Sequence, residues 1–181
     1  MIQYIVFTAD VQTAQAAKLR TAITDASNAG NDIYVFISSG GGNVFEGLSL
    51  ASFIKALPVQ VTMHNVGQID SIASVIFASG AVRLSTQNSS FLFHGVSMHY
   101  EKKDFIEAQL EEQYRGVKRM RENIAATFAA YTGLSVADVD ALMITGSTIL
   151  TSDEALSKAI IHEIRDAAIP PNSHVIAIGN G

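Results

Sequence analysis

Strand-like and helix-like patterns alternate along most of this chain, and that alternation constrains the fold more than any single motif. Ile2 to Phe7 reads as a strand. Gln12 to Asn28 is Ala-rich, with Ala16, Leu19, Ile23 and Ala26 at helical spacing. Ile33 to Ile37, a β-branched and aromatic run after the Asn31-Asp32 turn, reads as a buried strand. A helix follows from Val44 to Ala56, stopped by Pro58. Val59 to His64 is a further strand with a turn at Gly67-Gln68, and Ser71 to Ser79 a small, apolar, buried helix. Arg83 to Ser85 and Phe91 to Phe93 are short strands. A β-α-β-α-β-α order predicts an α/β fold of stacked βαβ units with a mostly parallel sheet.

The second half departs from this rhythm. Lys102 to Tyr131 is one long helical pattern, in which Ile106, Leu110, Tyr114, Val117, Met120, Ile124 and Phe128 step by three or four. At 1.5 Å per residue such a helix is roughly 45 Å long, too long for the rest of the chain to cover. Part of it is expected to project and pack on another subunit; the alternative is two helices kinked near Gly116. Gly133 ends the pattern. Ser135 starts a short helix with Asp138 three residues on, and Thr151 with Glu154 forms a capping box for another. Ile160 to Ile164 could rejoin the sheet, and the tail beyond Pro170-Pro171 reads as loosely held.

Apolar residues make up 48% of the chain and charged residues 16%, so some apolar surface is expected to be buried between subunits. A net charge of −5 gives no reason to expect nucleic acid or acidic membranes as partners. There is no cysteine for a disulfide or thiolate site. No signal peptide and no apolar run of about 18 residues is evident, so a cytoplasmic location off the membrane is expected. No metal or cofactor is expected either, because the five histidines show no metal-ligand spacing.

Three features could carry chemistry. Gly40-Gly41-Gly42 follows a strand and precedes a helix, where bare amides can hold an oxyanion or a phosphate. It lacks both the P-loop ending and the dinucleotide spacing, and a plain tight turn fits equally well. Ser71 sits in Gly67-Gln68-Ile69-Asp70-Ser71-Ile72-Ala73-Ser74, where a strand turns into a helix. That position exposes a hydroxyl as in a nucleophile elbow, although Gly-x-Ser-x-Gly is absent; a plain helix cap by Ser71 or Asp70 is the competing reading. His94 follows the strand Phe91-Leu92-Phe93, where a general base for a serine would be needed, yet a lone histidine there is commonly structural. His64, His99, His162 and His174 are the alternatives.

The order of these motifs resembles the proteolytic subunit of the Clp protease from about Tyr4 to Ile164. Ile33 to Gly42 resembles that family's strand ending in Asn-Ser-Pro-Gly-Gly. Gly67-Gln68-Ile69-Asp70-Ser71-Ile72-Ala73 resembles Gly-Gln-Ala-Ala-Ser-Met-Gly, which contains the nucleophile. Phe91-Leu92-Phe93-His94 resembles Met-Ile-His. Tyr131-Thr132-Gly133 resembles the His-Thr-Gly that ends the handle helix, and Leu150 to Ala155 resembles Leu-Ser-Ala-x-Glu-Ala. The resemblance implies a ClpP/crotonase-like α/β fold in one domain over residues 1–181, with a head of about 1–98 and 132–168, a projecting handle helix of about 102–131 and a loose tail of about 169–181. It implies a serine peptidase with Ser71 as nucleophile, His94 as base and the backbone amides of Gly42 and Ile72 as oxyanion hole. It further implies an acyl-enzyme mechanism, peptides or unfolded chains as substrates, a homo-oligomer built from hexameric or heptameric rings, stacked or single, and an AAA+ unfoldase partner. The chain as given begins almost at the first strand, so a counterpart of the family's axial segment, which meets that ATPase, is not expected ahead of Ile2, and dependence on the unfoldase is not expected to follow from the resemblance alone.

Three positions depart from the family's pattern. The aspartate that completes its triad falls on Ser147, or on Thr148 in a register shifted by one; Asp138 and Asp140 lie upstream on a predicted helix. Asp70 replaces a small residue beside the nucleophile, and reads first as a charge favouring the helix N-terminus and second as a substitute charge for His94. Gly40 replaces a proline, which predicts a looser loop. A catalytically impaired assembly or regulatory subunit, and a crotonase-type acyl-CoA enzyme using Asp70 and Glu46, are the alternative functions.

Overall fold

The computed structural model describes residues 1–97, 104–144 and 146–180. The first strands, β1 (Ile2–Thr8), β2 (Asp32–Ser39) and β3 (Val61–Asp70), lie side by side in parallel, joined by α1 (Thr13–Asn28) and α2 (Val44–Lys55). The helical spacing in α1 is used as expected: Ala16, Leu19, Ile23 and Ala26 are all buried. Each large apolar side chain so buried stabilises the fold by about 1.5–3 kcal/mol relative to its exposed state.

β3 continues through Gly67-Gln68, where the sequence predicts a turn. The reason is a change of partner. Thr62 to Asn65 pairs with β4 (Val82–Ser85), whereas Gln68 to Asp70 pairs with β5 (Ser90–Phe93). Between the two, Asn65 Oδ1 accepts from the Gly67 amide and Ser38 Oγ from the Gln68 amide, and the β2 pairing shifts register between Ile37 and Ser39. The glycine thus marks a bend inside a strand, a role that sequence punctuation does not separate from a turn. The short helix α3 (Ala73–Ala78) follows, fully buried.

The long helix α4 (Glu107–Thr132) is continuous through Gly116 and is stopped by Gly133 in the left-handed conformation, φ 80°. At 1.5 Å per residue it spans about 39 Å. Lys102 and Lys103, placed in this helix by the sequence pattern, lie outside the described residues. Only the C-terminal half of its apolar stripe is covered: Ile124 and Phe128 are buried, whereas Leu110 and Tyr114 are 56% and 68% exposed. α5 (Val136–Ile144) packs back on α4, and its first turn closes with the Ser135 hydroxyl donating to Asp138. β6 (Thr148–Thr151), not foreseen as a strand, pairs antiparallel with β5. The expected Thr151–Glu154 capping box then starts α6 (Ser152–Ser157). β7 (Glu163–Ile164) rejoins the sheet beside β4.

The tail is not loose. Val175–Gly179 forms β8 in parallel with the free edge of β1, and Asn180 Oδ1 accepts from the Asp10 amide. Its β-branched apolar run, Val175, Ile176 and Ile178, carried that strand signal after the Pro170-Pro171 break. The resulting order is β6-β5-β3-β2-β1-β8, parallel except at the β5–β6 step. No helix among the described residues is long and apolar enough to cross a membrane.

Candidate active site

Ser71 follows the last residue of β3 and precedes α3, with φ 54°. Left-handed backbone in a non-glycine residue costs on the order of 1–2 kcal/mol and persists only where surrounding structure enforces it. The enforcement is visible. The Ser71 amide donates to the Leu92 carbonyl at 2.8 Å, and the Ser71 carbonyl accepts from both the amide and the hydroxyl of Ser74. Neither Ser71 nor Asp70 caps the helix: Ile72 occupies the N-cap of α3 without a side-chain cap, and no acidic residue stands in its first turn. The capping readings of both residues are therefore set aside.

Gly41 packs directly on the elbow. A Cβ at this glycine would fall 2.7 Å from Ser71 Cβ and 2.8 Å from the Asp70 carbonyl oxygen. The loop is tied rather than loose despite Gly40: the Val11 amide donates to Gly41, the Val11 carbonyl accepts from Asn43, and Ser39 Oγ accepts from the Gly41 amide. Its conformation, φ 88° at Gly41 and 142° at Gly42, belongs to glycine. Asn43 then caps α2 by accepting from Phe45 and Glu46. Among the described residues, neither Gly42 nor Ile72 spends its amide on a main-chain hydrogen bond of these turns.

One cleft of about 240 Å³ brings Ser71, His94, Gly40 and Gly42 together. Phe93, Ile124 and Met143 add apolar lining, so the root of α4 and the end of α5 both reach it. Sequence patterns gave no sign of Ile124 and Met143 as cleft residues, since a helical stripe signals burial without saying what it faces. Ser74, another lining residue, was foreshadowed only by its position three after Ser71.

His94 is half-buried, and its Nδ1 lies 2.6 Å from the Gly95 carbonyl. A carbonyl only accepts, so Nδ1 carries the proton and Nε2 is left as the basic nitrogen. The other histidines are engaged elsewhere. His64 bridges the Tyr34 hydroxyl and the Arg165 carbonyl, and burial holds its pKa below the usual value. His162 accepts from the Arg83 amide, and His174 meets Gln3; His99 lies outside the described residues. Ser147 is exposed and Thr148 lies half-buried in β6 opposite Phe93. Asp138 is held by Ser135, and Asp140 pairs with Arg121 at 2.9 Å. Glu46 and Asp70 do not share the cleft lining. Among the described residues no group of three or more histidine, aspartate or glutamate side chains is arranged to hold a metal.

The Clp protease family model matches residues 2–168. The chain belongs to the Clp protease family. A curated relative from Arabis hirsuta, an ATP-dependent Clp protease proteolytic subunit, is 30% identical over 105 residues. That match covers 56% of this chain and 52% of the relative, so it spans about half of each. The solved structure of a ClpP1 mutant from Listeria monocytogenes shares the fold, with a TM-score of 0.79 at 22% identity, covering 91% of this chain and 92% of that one. The mostly parallel α/β arrangement expected from the sequence is thus the Clp protease fold.

Proposed function

We propose that this Clp protease family member is a serine peptidase that works inside an oligomeric chamber. The observation that carries the reading is the strained Ser71 elbow sharing one cleft with His94 and the Gly40 to Gly42 turn. In the reaction, His94 Nε2 takes the proton of Ser71 Oγ as that oxygen attacks a peptide carbonyl. The negative charge on the tetrahedral oxygen is received by the Gly42 and Ile72 amides. His94 then protonates the departing amine, the C–N bond breaks, and water releases the acyl group by the same steps.

A fluorophosphonate probe and a fluorogenic peptide test this. The expected result is labelling at Ser71 and hydrolysis, both lost in Ser71→Ala. Absence of label in the assembled wild type would favour the catalytically impaired assembly subunit. That reading draws on one observation, the backbone carbonyl at Nδ1 of His94 where a triad would place a carboxylate.

The uncovered half of α4 supports the chamber. Leu110 and Tyr114 project from a helix whose other half is rooted in the core, and a second copy of this chain is the natural cover. Leu110→Asp with Tyr114→Asp is expected to dissociate the assembly while leaving the protomer folded. Sedimentation and far-UV circular dichroism read the two effects separately; an unchanged sedimentation coefficient would remove this helix from the contact.

A further inference from the structure

We infer that Asp70 is a positioning residue for His94, supplying from β3 the negative charge that Ser147 lacks; this rests on the peptidase reading. The sheet register brings the two close. Ile69 opposite Phe91 points into the core, both fully buried, so Asp70 opposite Leu92 points to the other side. Phe93 is buried in the core and His94 follows it directly, one residue past the end of β5, close enough for its charge to act on the Asp70 carboxyl. With strands about 4.8 Å apart and a rise of about 3.3 Å per residue, a position two beyond a strand partner lies roughly 8 Å away, within reach of an aspartate and an imidazole.

The electrostatics agree with this placement. Burial pushes the Asp70 carboxyl above its usual range, while the charge of His94 and the main-chain amide of Leu92 pull it back towards ionisation. Among the described residues, no other group answers the same need. The cleft side of His94 presents Ser71, Ser74 and Ser97, all neutral. Lys118 and Arg121 stand beyond Gly95 and Val96, with Arg121 already paired to Asp140. Ser147 and the first residue of β6, Thr148, offer hydroxyls and no charge. Because Nδ1 is occupied by the Gly95 carbonyl, Asp70 acts on the imidazolium through space. Charge stabilisation and ring orientation, united in one residue of a conventional triad, are divided here between a carboxylate and a carbonyl.

Asp70 also carries a stability signature. Its folded pKa is raised, so its favourable contribution exists at low pH and is lost as pH rises through that value. The ionised carboxylate is held against the preference of the fold, and Asp70→Asn is expected to melt no lower than wild type.

The test compares wild type, Asp70→Asn and Asp70→Asn/Ser147→Asp for peptide hydrolysis, fluorophosphonate labelling and melting temperature from pH 5 to 9. Asp70→Asn is expected to slow hydrolysis and labelling about 10- to 100-fold. Its acid limb is expected to move to lower pH, because the imidazolium loses its stabilising charge. Restoring a carboxylate at Ser147 is expected to recover rate and limb together. An active wild type whose Asp70→Asn variant keeps both overturns the role of Asp70 alone. A slowed variant with an unmoved limb and a lowered melting temperature makes Asp70 structural and also overturns it. A wild type that neither cleaves nor takes label overturns the peptidase reading, and this inference with it.

Discussion

Ser71→Gly is expected to abolish peptide hydrolysis while raising the melting temperature. Removing a serine nucleophile from such a site costs on the order of 10⁶ in turnover. The stability gain has a separate source. Ser71 holds φ 54° because its amide and carbonyl are fixed by Leu92 and Ser74, and glycine adopts that backbone without the Cβ penalty. Glycine loses more entropy on folding, by about 0.5–1 kcal/mol, which offsets part of the relief. The net gain is therefore about 0.5–1 kcal/mol, or a few degrees for a chain of this size. Ser71→Ala keeps the Cβ, so it should lose activity without the gain. Calorimetry on the two variants checks the difference. A lower melting point for Ser71→Gly would mean that the hydroxyl stabilises the elbow, and that the geometry is not strain held for chemistry.

The sequence made the βαβ rhythm legible because parallel strands buried on both faces read as apolar runs, and α1 as a clean stripe. It misplaced features where one residue serves two elements. Gly67-Gln68 looks like a turn, yet marks where β3 trades β4 for β5. Gly40 in place of proline suggests slack, but the loop is fastened from outside by Val11, a contact with no local signature. β6 and β8 are short edge elements whose pairing is decided by distant strands. For the site, local pattern alone left Ser71 and Asp70 as equally good helix caps. Only the backbone at Ser71 and the empty cap of α3 separate an elbow from a cap. Asp70 shows the limit most clearly, since adjacent side chains diverge in sequence space, and its relation to His94 exists only across the β3–β5 register.

Phe128 joins the long helix to that register, and its loss should be felt in both stability and turnover. Its ring is buried and meets Phe93 edge to face at 5.4 Å, and Phe93 immediately precedes His94. Phe128→Ala is expected to destabilise the protomer by about 3–5 kcal/mol through lost burial and the cavity left behind, lowering the melting temperature by roughly 10 °C. Phe93, with a void behind it, would no longer fix the end of β5. A displacement of about 1 Å in a general base can cost 10²-fold in rate, so activity per folded molecule should fall as well. Urea unfolding and peptide hydrolysis well below the transition separate the two effects. Phe128→Leu, which keeps most of the volume, should retain most of both. If Phe128→Ala unfolds early yet cleaves at the wild-type rate while folded, then α4 anchors the core without positioning His94, and the base must be held by Gly95 and β5 alone.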